Sequence, residues 1–174
     1  MSKETLMRML RIVFTAILLA IIPAISSVQA RDLRLEEFFL GHTTATGSFK
    51  TITGFERKFR LELVGKFDGK TLTLREDFFY DDGETDRKTW KFRVTGKNSY
   101  EGIREDVLAP TTVTLDGNQG FFNYRVNLEP DGGRNIVRFY DILTMSDDGR
   151  TLVNTAKVFK GPLQVATVRV DFKR

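Results

Sequence analysis

Four polar side chains fall on faces that this chain otherwise keeps apolar: Glu76, Tyr124, Asp141 and Asn154. Successive side chains of a strand point to opposite sides of a sheet, so residues two apart share a face. From Thr71 to Tyr80 that count groups Leu72, Leu74, Glu76, Phe78 and Tyr80. From Arg134 to Met145 it groups Val137, Phe139, Asp141, Leu143 and Met145, and further on Leu152, Asn154, Ala156 and Val158. Phe122, Tyr124, Val126 and Leu128 form a fourth set. A carboxylate on a dry face is costly unless it is paired, hydrogen-bonded or protonated. Arg57, Arg104, Tyr124 and Asn154 are the partners that strand parity brings nearest to Glu76 and Asp141. Three uses fit such residues: a hydrogen-bond network that fixes strand register, a polar anchor for a ligand head group in an apolar pocket, or an acid–base pair with raised pKa.

Other chemistry is sparsely provided. With one histidine, His42, and no cysteine, the usual zinc and transition-metal ligand sets do not arise, and neither disulfide nor thiolate chemistry is open to the chain. His42 follows Gly41 and reads as part of a helix stop. No nucleophile elbow, phosphate-binding glycine loop or dinucleotide fingerprint occurs. The densest acidic stretch, Asp77 to Asp86 (DFFYDDGETD), misses the EF-hand spacing and reads as a hairpin turn with solvated carboxylates. No metal or cofactor is expected.

The elements that position the polar residues can be read from the turns. After Gly41, turn signals recur every eight to twelve residues: Asp68-Gly69, Asp81-Asp82-Gly83, Gly96-Lys97-Asn98, Asp116-Gly117-Asn118, Pro130-Asp131-Gly132-Gly133, Asp147-Asp148-Gly149 and Gly161-Pro162. Such a ladder predicts consecutive antiparallel strands. Between the turns the alternation is clean, as in Trp90, Phe92 and Val94 against Lys91, Arg93 and Thr95. One wet face and one dry face per strand describes an all-β antiparallel meander around a single interior. About nine or ten such strands would leave two exposed edges if flat, and closure into a barrel removes them. A short amphipathic segment, Leu33 to Leu40, precedes the meander and predicts one or two helical turns.

The first 30 residues have export logic. Lys3, Arg8 and Arg11 precede the apolar run Ile12 to Ile22, Pro23 interrupts it, and Val28-Gln29-Ala30 offers a cleavage site. Residues 1–30 are expected to be a signal peptide and 31–174 a single barrel domain, periplasmic or secreted, with no stable membrane anchor after cleavage. The chain carries 27 basic and 23 acidic residues, and without that segment 24 and 22 remain. A near-neutral, mixed surface argues against nucleic acid as a partner.

The segment Glu76-Asp77-Phe78-Phe79-Tyr80-Asp81-Asp82-Gly83-Glu84, followed by Asp86-Arg87 and Trp90, resembles a bacterial family known as domain of unknown function 3833. The resemblance continues through Leu35-Glu36-Glu37-Phe38-Phe39, Gly47-Ser48-Phe49, Tyr100-Glu101-Gly102, Arg138-Phe139-Tyr140-Asp141, Val153-Asn154 and Val168 to Arg174. It implies an exported protein, often a lipoprotein, with a lipocalin-like (calycin-type) barrel and no established activity. It also implies a fatty or isoprenoid ligand through a genomic association with lipid-modifying functions. The chain departs from the family pattern in lacking a lipid-acceptor cysteine.

The reading preferred on these grounds is a lipocalin-like barrel that binds a small apolar or lipid-like ligand. Phe78, Tyr80, Trp90, Phe122, Tyr124 and Phe139 would line the interior, with Glu76, Asp141 and Asn154 meeting a polar head or one another. Two alternatives stand beside it. One is a barrel isomerase or hydrolase using Glu76 or Asp141, although no residue is assigned a catalytic role. The other is an assembly factor with a filled barrel.

Overall fold

The computed structural model describes residues 31–129 and 133–174, so the expected signal segment and most of the Pro130 turn lie outside the described residues. Ten antiparallel strands form a closed barrel in the order β1-β10-β9-β8-β7-β6-β5-β4-β3-β2. They are β1 (Gly41–Thr51), β2 (Glu56–Phe67), β3 (Thr71–Tyr80), β4 (Thr85–Gly96), β5 (Ser99–Ile103), β6 (Thr111–Asp116), β7 (Gln119–Asn127), β8 (Ile136–Met145), β9 (Thr151–Lys160) and β10 (Leu163–Lys173). Each strand pairs with its neighbours in sequence, and β1 closes the ring against β10 from Thr44↔Lys173 to Thr51↔Ala166. Closure gives every strand two partners and leaves no free edge.

The expected meander is therefore observed, at the upper end of the expected strand number. Alternation decides the interior. In β3 the buried positions are Leu72, Leu74 and Glu76, with Phe78 and Tyr80 continuing the same face half-buried, and in β8 the inward set includes Val137, Phe139, Asp141, Leu143 and Met145. Register shifts occur only at Val94/Gly96 and Gln164/Ala166, so none disturbs the parity of β3 or β8. Gly83 turns the β3–β4 hairpin at a φ of 88°, a backbone state that glycine reaches without steric cost.

One end of the barrel is plugged. Helix α1 (Leu35–Phe39) lays Leu35, Phe38 and Phe39 into the interior, where they are at most 4% exposed. The plug is tied down from several sides. Leu33 N–H donates to Gly117 O at 2.8 Å, Arg174 Nη1 donates to Glu37 O at 2.6 Å, and Arg34 donates to Lys97 O. Tyr100, itself 1% exposed, donates its hydroxyl to Glu36 Oε2 at 2.6 Å. The helix approaches β2 so closely that a Cβ at Gly65 would collide with Phe39 O. Gly41, expected to end the helix, follows the last helical turn at a φ of 84°, while His42 lies within β1 and is exposed.

The other end carries the β1–β2, β3–β4, β5–β6, β7–β8 and β9–β10 connections and no helix among the described residues. No helix of the described residues is long and apolar enough to cross a membrane.

Candidate functional site

Above the plug the strands enclose a cavity of about 680 Å³. Leu35 and Phe39 form part of its floor, and all nine residues singled out from the sequence stand on its wall: Glu76, Phe78, Tyr80, Trp90, Phe122, Tyr124, Phe139, Asp141 and Asn154. The volume is in the range that holds a small organic molecule. The filled interior that would mark an assembly factor is not what the barrel contains.

Aromatic rings make most of the apolar wall. Trp90 stacks on Phe92 at 5.1 Å between centroids, Phe122 on Tyr124 at 5.5 Å, and Tyr124 on Phe139 at 5.3 Å with the planes 2° apart. Trp90 meets Tyr124 edge to face at 5.2 Å. Nearer the mouth, Phe59, Phe78 and Tyr80 form a second cluster, and the Arg57 guanidinium lies 3.7 Å over the Tyr80 ring. Stacked and edge-on pairs of this kind hold rings in fixed orientations around a hollow that their own bulk does not fill.

Polar groups converge on the middle of the wall from four strands and one loop, Asn154 coming from β9. Glu76 comes from β3, Tyr124 from β7 and Asp141 from β8, while Arg104 and Asp106 come from the segment that follows β5. Arg104 forks onto Asp106, Nε to Oδ1 at 2.7 Å and Nη2 to Oδ2 at 3.1 Å. Its Nη1 lies 3.7 Å from Glu76 Oε2, and its carbon sits 4.9 Å from the centre of the Trp90 ring. Asn154 Nδ2 donates to Asp141 Oδ1 at 2.6 Å, whereas Asp141 Oδ2 and Asn154 Oδ1 are buried without a hydrogen-bond partner among the described residues.

Desolvation dominates the electrostatics. Burial pushes the Glu76 carboxyl up to about 7, with the Arg104 charge opposing and the Asp106, Glu105 and Asp141 charges adding to the rise. Burial pushes Asp141 up to about 6 against the Asn154 hydrogen bond, the Arg104 charge and the nearby Tyr124 hydroxyl, which does not complete a hydrogen bond to Oδ2. Tyr124 is raised well above its ordinary value, again chiefly by burial. Burial works against the Arg104 charge too, but Tyr124, Glu76 and Asp106 outweigh it and keep the guanidinium ionised. These are the responses expected of charged groups withdrawn from water with incomplete compensation.

Two expectations are corrected. Arg57 does not pair with Glu76 or Asp141; it sits at the mouth, where Asp82 accepts from Nε at 2.6 Å and Glu84 accepts from Nη2. The hairpin that carries Asp82 and Glu84 is close and solvated, so the acids there capture the arginine first. Leu128 is 47% exposed, because it lies beyond the end of β7, where strand parity no longer governs it. Asp106, Lys88 and Phe59 are among the further residues that line the wall without having been singled out for the site. Phe59 has a readable signal in its alternation with Lys58 and Arg60, but Asp106 sits in a loop that has no period to read. The acidic stretch of Asp77 to Asp86 is indeed the β3–β4 hairpin, and no group of three or more metal-ligating side chains occurs among the described residues.

A larger depression of about 960 Å³ lies outside the barrel, across outward-facing residues such as Phe121, Tyr140 and Phe159. It borders the polar cluster only at Asp141 and is a groove in the outer surface. The interior cavity is therefore the site where the chemistry collects.

A family model described as "Protein of unknown function (DUF3833)" matches residues 21–174. No curated protein matches the sequence. Among solved structures, the S-type phycobiliprotein lyase from Guillardia theta superposes with a TM-score of 0.55 at 9% identity, covering 86% of this chain and 96% of the lyase. A redesigned β-barrel, mFAP1, bound to DFHBI gives a TM-score of 0.42 at 10% identity, covering 82% of this chain and 100% of that one. The lyase comparison establishes a shared calycin-like barrel fold.

Proposed function

The chain belongs to the DUF3833 family, and we propose that its barrel binds a small apolar or lipid-like molecule in the interior cavity. The observation that carries this reading is a hollow of about 680 Å³ with aromatic walls and a few converging polar groups at its centre. An apolar wall supplies affinity through buried area, and sparse polar groups fix orientation. The fold shared with a phycobiliprotein lyase agrees with a barrel whose interior serves a small molecule. We further propose that residues 1–30 direct export and that the protein acts in the periplasm or beyond it.

Trp90 is the chain's single tryptophan and stands 4% exposed on the cavity wall, so its emission reports directly on occupancy. Titration with the neutral apolar probe N-phenyl-1-naphthylamine is expected to quench Trp90 and to brighten the probe, saturating at one equivalent. Native mass spectrometry of protein purified from its own periplasm is expected to show an adduct of small-molecule mass. A probe that neither quenches Trp90 nor saturates, together with protein free of adduct, would overturn the reading. N-terminal sequencing of the fractionated protein tests export, with a start at Arg31 expected.

A further inference from the structure

We infer that the ligand is a cationic amphiphile, an apolar body bearing a protonated amine that meets the Glu76 carboxylate. The inference rests on the binding reading above and names the chemical class that the cavity selects.

Charge on the wall is unevenly neutralised. Each basic side chain that borders the cavity is already held by a carboxylate of the protein. Arg57 is taken by Asp82 and Glu84, Lys88 by Asp86 at 3.1 Å, and Arg104 by the two oxygens of Asp106. Glu76 and Asp141 remain. Glu76 makes no hydrogen bond among the described residues, is 8% exposed, and has only the Arg104 charge at 3.7 Å. The uncompensated charge inside the barrel is therefore negative, and among the described residues no arginine or lysine on the cavity wall is free to receive an anionic head group.

Hydrogen-bonding capacity points the same way. Asp141 Oδ2 and Asn154 Oδ1 are buried acceptors without a donor among the described residues, so the polar cluster has acceptors in excess. An ammonium group brings three donors and no acceptor. A carboxylate brings acceptors only and would stand beside two like charges in a poorly solvated space. The ring faces add to the preference, since aromatic faces attract cations, and Arg104 already lies over Trp90 and Tyr124 in this way.

The groups that face Glu76 set how acidity acts on such a complex. Lys88 is its register partner on β4, while Leu63 opposite it on β2 is uncharged. Arg104, Glu105 and Asp106 approach from the segment after β5, and Asp141 from β8. A carboxyl that titrates close to neutrality in this setting holds an ammonium more tightly at pH 8 than at pH 6. An alkylamine stays protonated over that whole range, so the change belongs to the protein.

The test uses three ligands with one apolar body: decylamine, decanol and decanoate, each titrated into the protein at pH 8 and followed through Trp90 emission. Decylamine is expected to bind at least tenfold more tightly than decanol, and decanoate more weakly than either. Glu76→Gln is expected to bring the ratio of decylamine to decanol affinity down to near one. Should that variant fail to fold, lowering the pH to 6 on the unmodified protein is expected to weaken decylamine severalfold and leave decanol alone. Decanoate binding as tightly as decylamine, or an amine preference that survives both Glu76→Gln and acidification, would overturn the inference. Decanol binding without any preference for charge would overturn it while leaving the binding reading intact, and failure of all three ligands would remove both.

Discussion

The two ends of the barrel are built from the same alternating strands and differ in what lies between them. At the plugged end, α1 fills the bore, and Leu63, Leu72, Val113 and Leu152 around it are wholly buried. At the open end, Phe78, Phe122 and Phe139 are only half-buried, and the rings line a hollow that ends in a charged mouth. A ring of ten strands is wider than its own inward side chains can fill, since barrel diameter grows with strand number. Where a helix occupies the bore the interior becomes a core, and elsewhere it stays a container. Close packing and open volume are thus divided between the ends.

The largest expected effect tests that division directly. Phe38→Ala removes a ring that is 2% exposed in the plug and is expected to cost about 3–5 kcal/mol by denaturant unfolding. Phe139→Ala, on a wall that already borders open space, is expected to cost less than about 2 kcal/mol. Equal losses would break the comparison, because they would mean that the upper rings are packed as a core.

The acids sharpen the comparison through pH. The Glu76 carboxyl is raised from 4.5 to about 7 by burial, so in that interval the folded state holds a proton that the unfolded chain has lost. Its contribution to stability is complete below pH 4.5 and disappears as pH rises through 7, a loss of about 3 kcal/mol at most. Asp141, raised from 3.8 to about 6, acts in the same sense over its own interval. Unfolding free energies measured from pH 4.5 to 8 are expected to show Glu76→Gln gaining on the unmodified protein as pH rises, whatever the constant cost of freeing Arg104. A difference that does not change with pH would show that Glu76 is not desolvated as its surroundings imply.

The smallest effect lies at the plug's edge. Tyr100→Phe removes the hydroxyl that donates to Glu36 and is expected to cost about 1–2 kcal/mol, with the affinity for the naphthylamine probe unchanged. If probe affinity falls as well, the plug and the cavity act as one cooperative unit.

Much of the site was legible because period two runs unbroken through the strands that carry it. Glu76, Asp141 and Asn154 sit in β3, β8 and β9, and each could be assigned to the interior by counting from apolar neighbours. Arg104 could be named as a partner, but its fork onto Asp106 could not, since a loop has no repeating direction from which to infer where a side chain points. Arg57 shows the limit of parity: an inward position near a strand end is captured by the nearest turn carboxylates before it reaches the centre.

The amino-acid sequence by itself determined the strand class, the turns, the need for closure and the set of residues facing inward, because these follow from local backbone preference and alternation. Only the tertiary structure decided that the bore is filled at one end and hollow at the other. It also decided that, among the described residues, every cavity-lining base already has a carboxylate, leaving Glu76 to share Arg104 with Asp106 and Asp141 without a cation. Volume and charge balance inside a closed sheet depend on distances between residues far apart in the chain, and no local pattern encodes those distances.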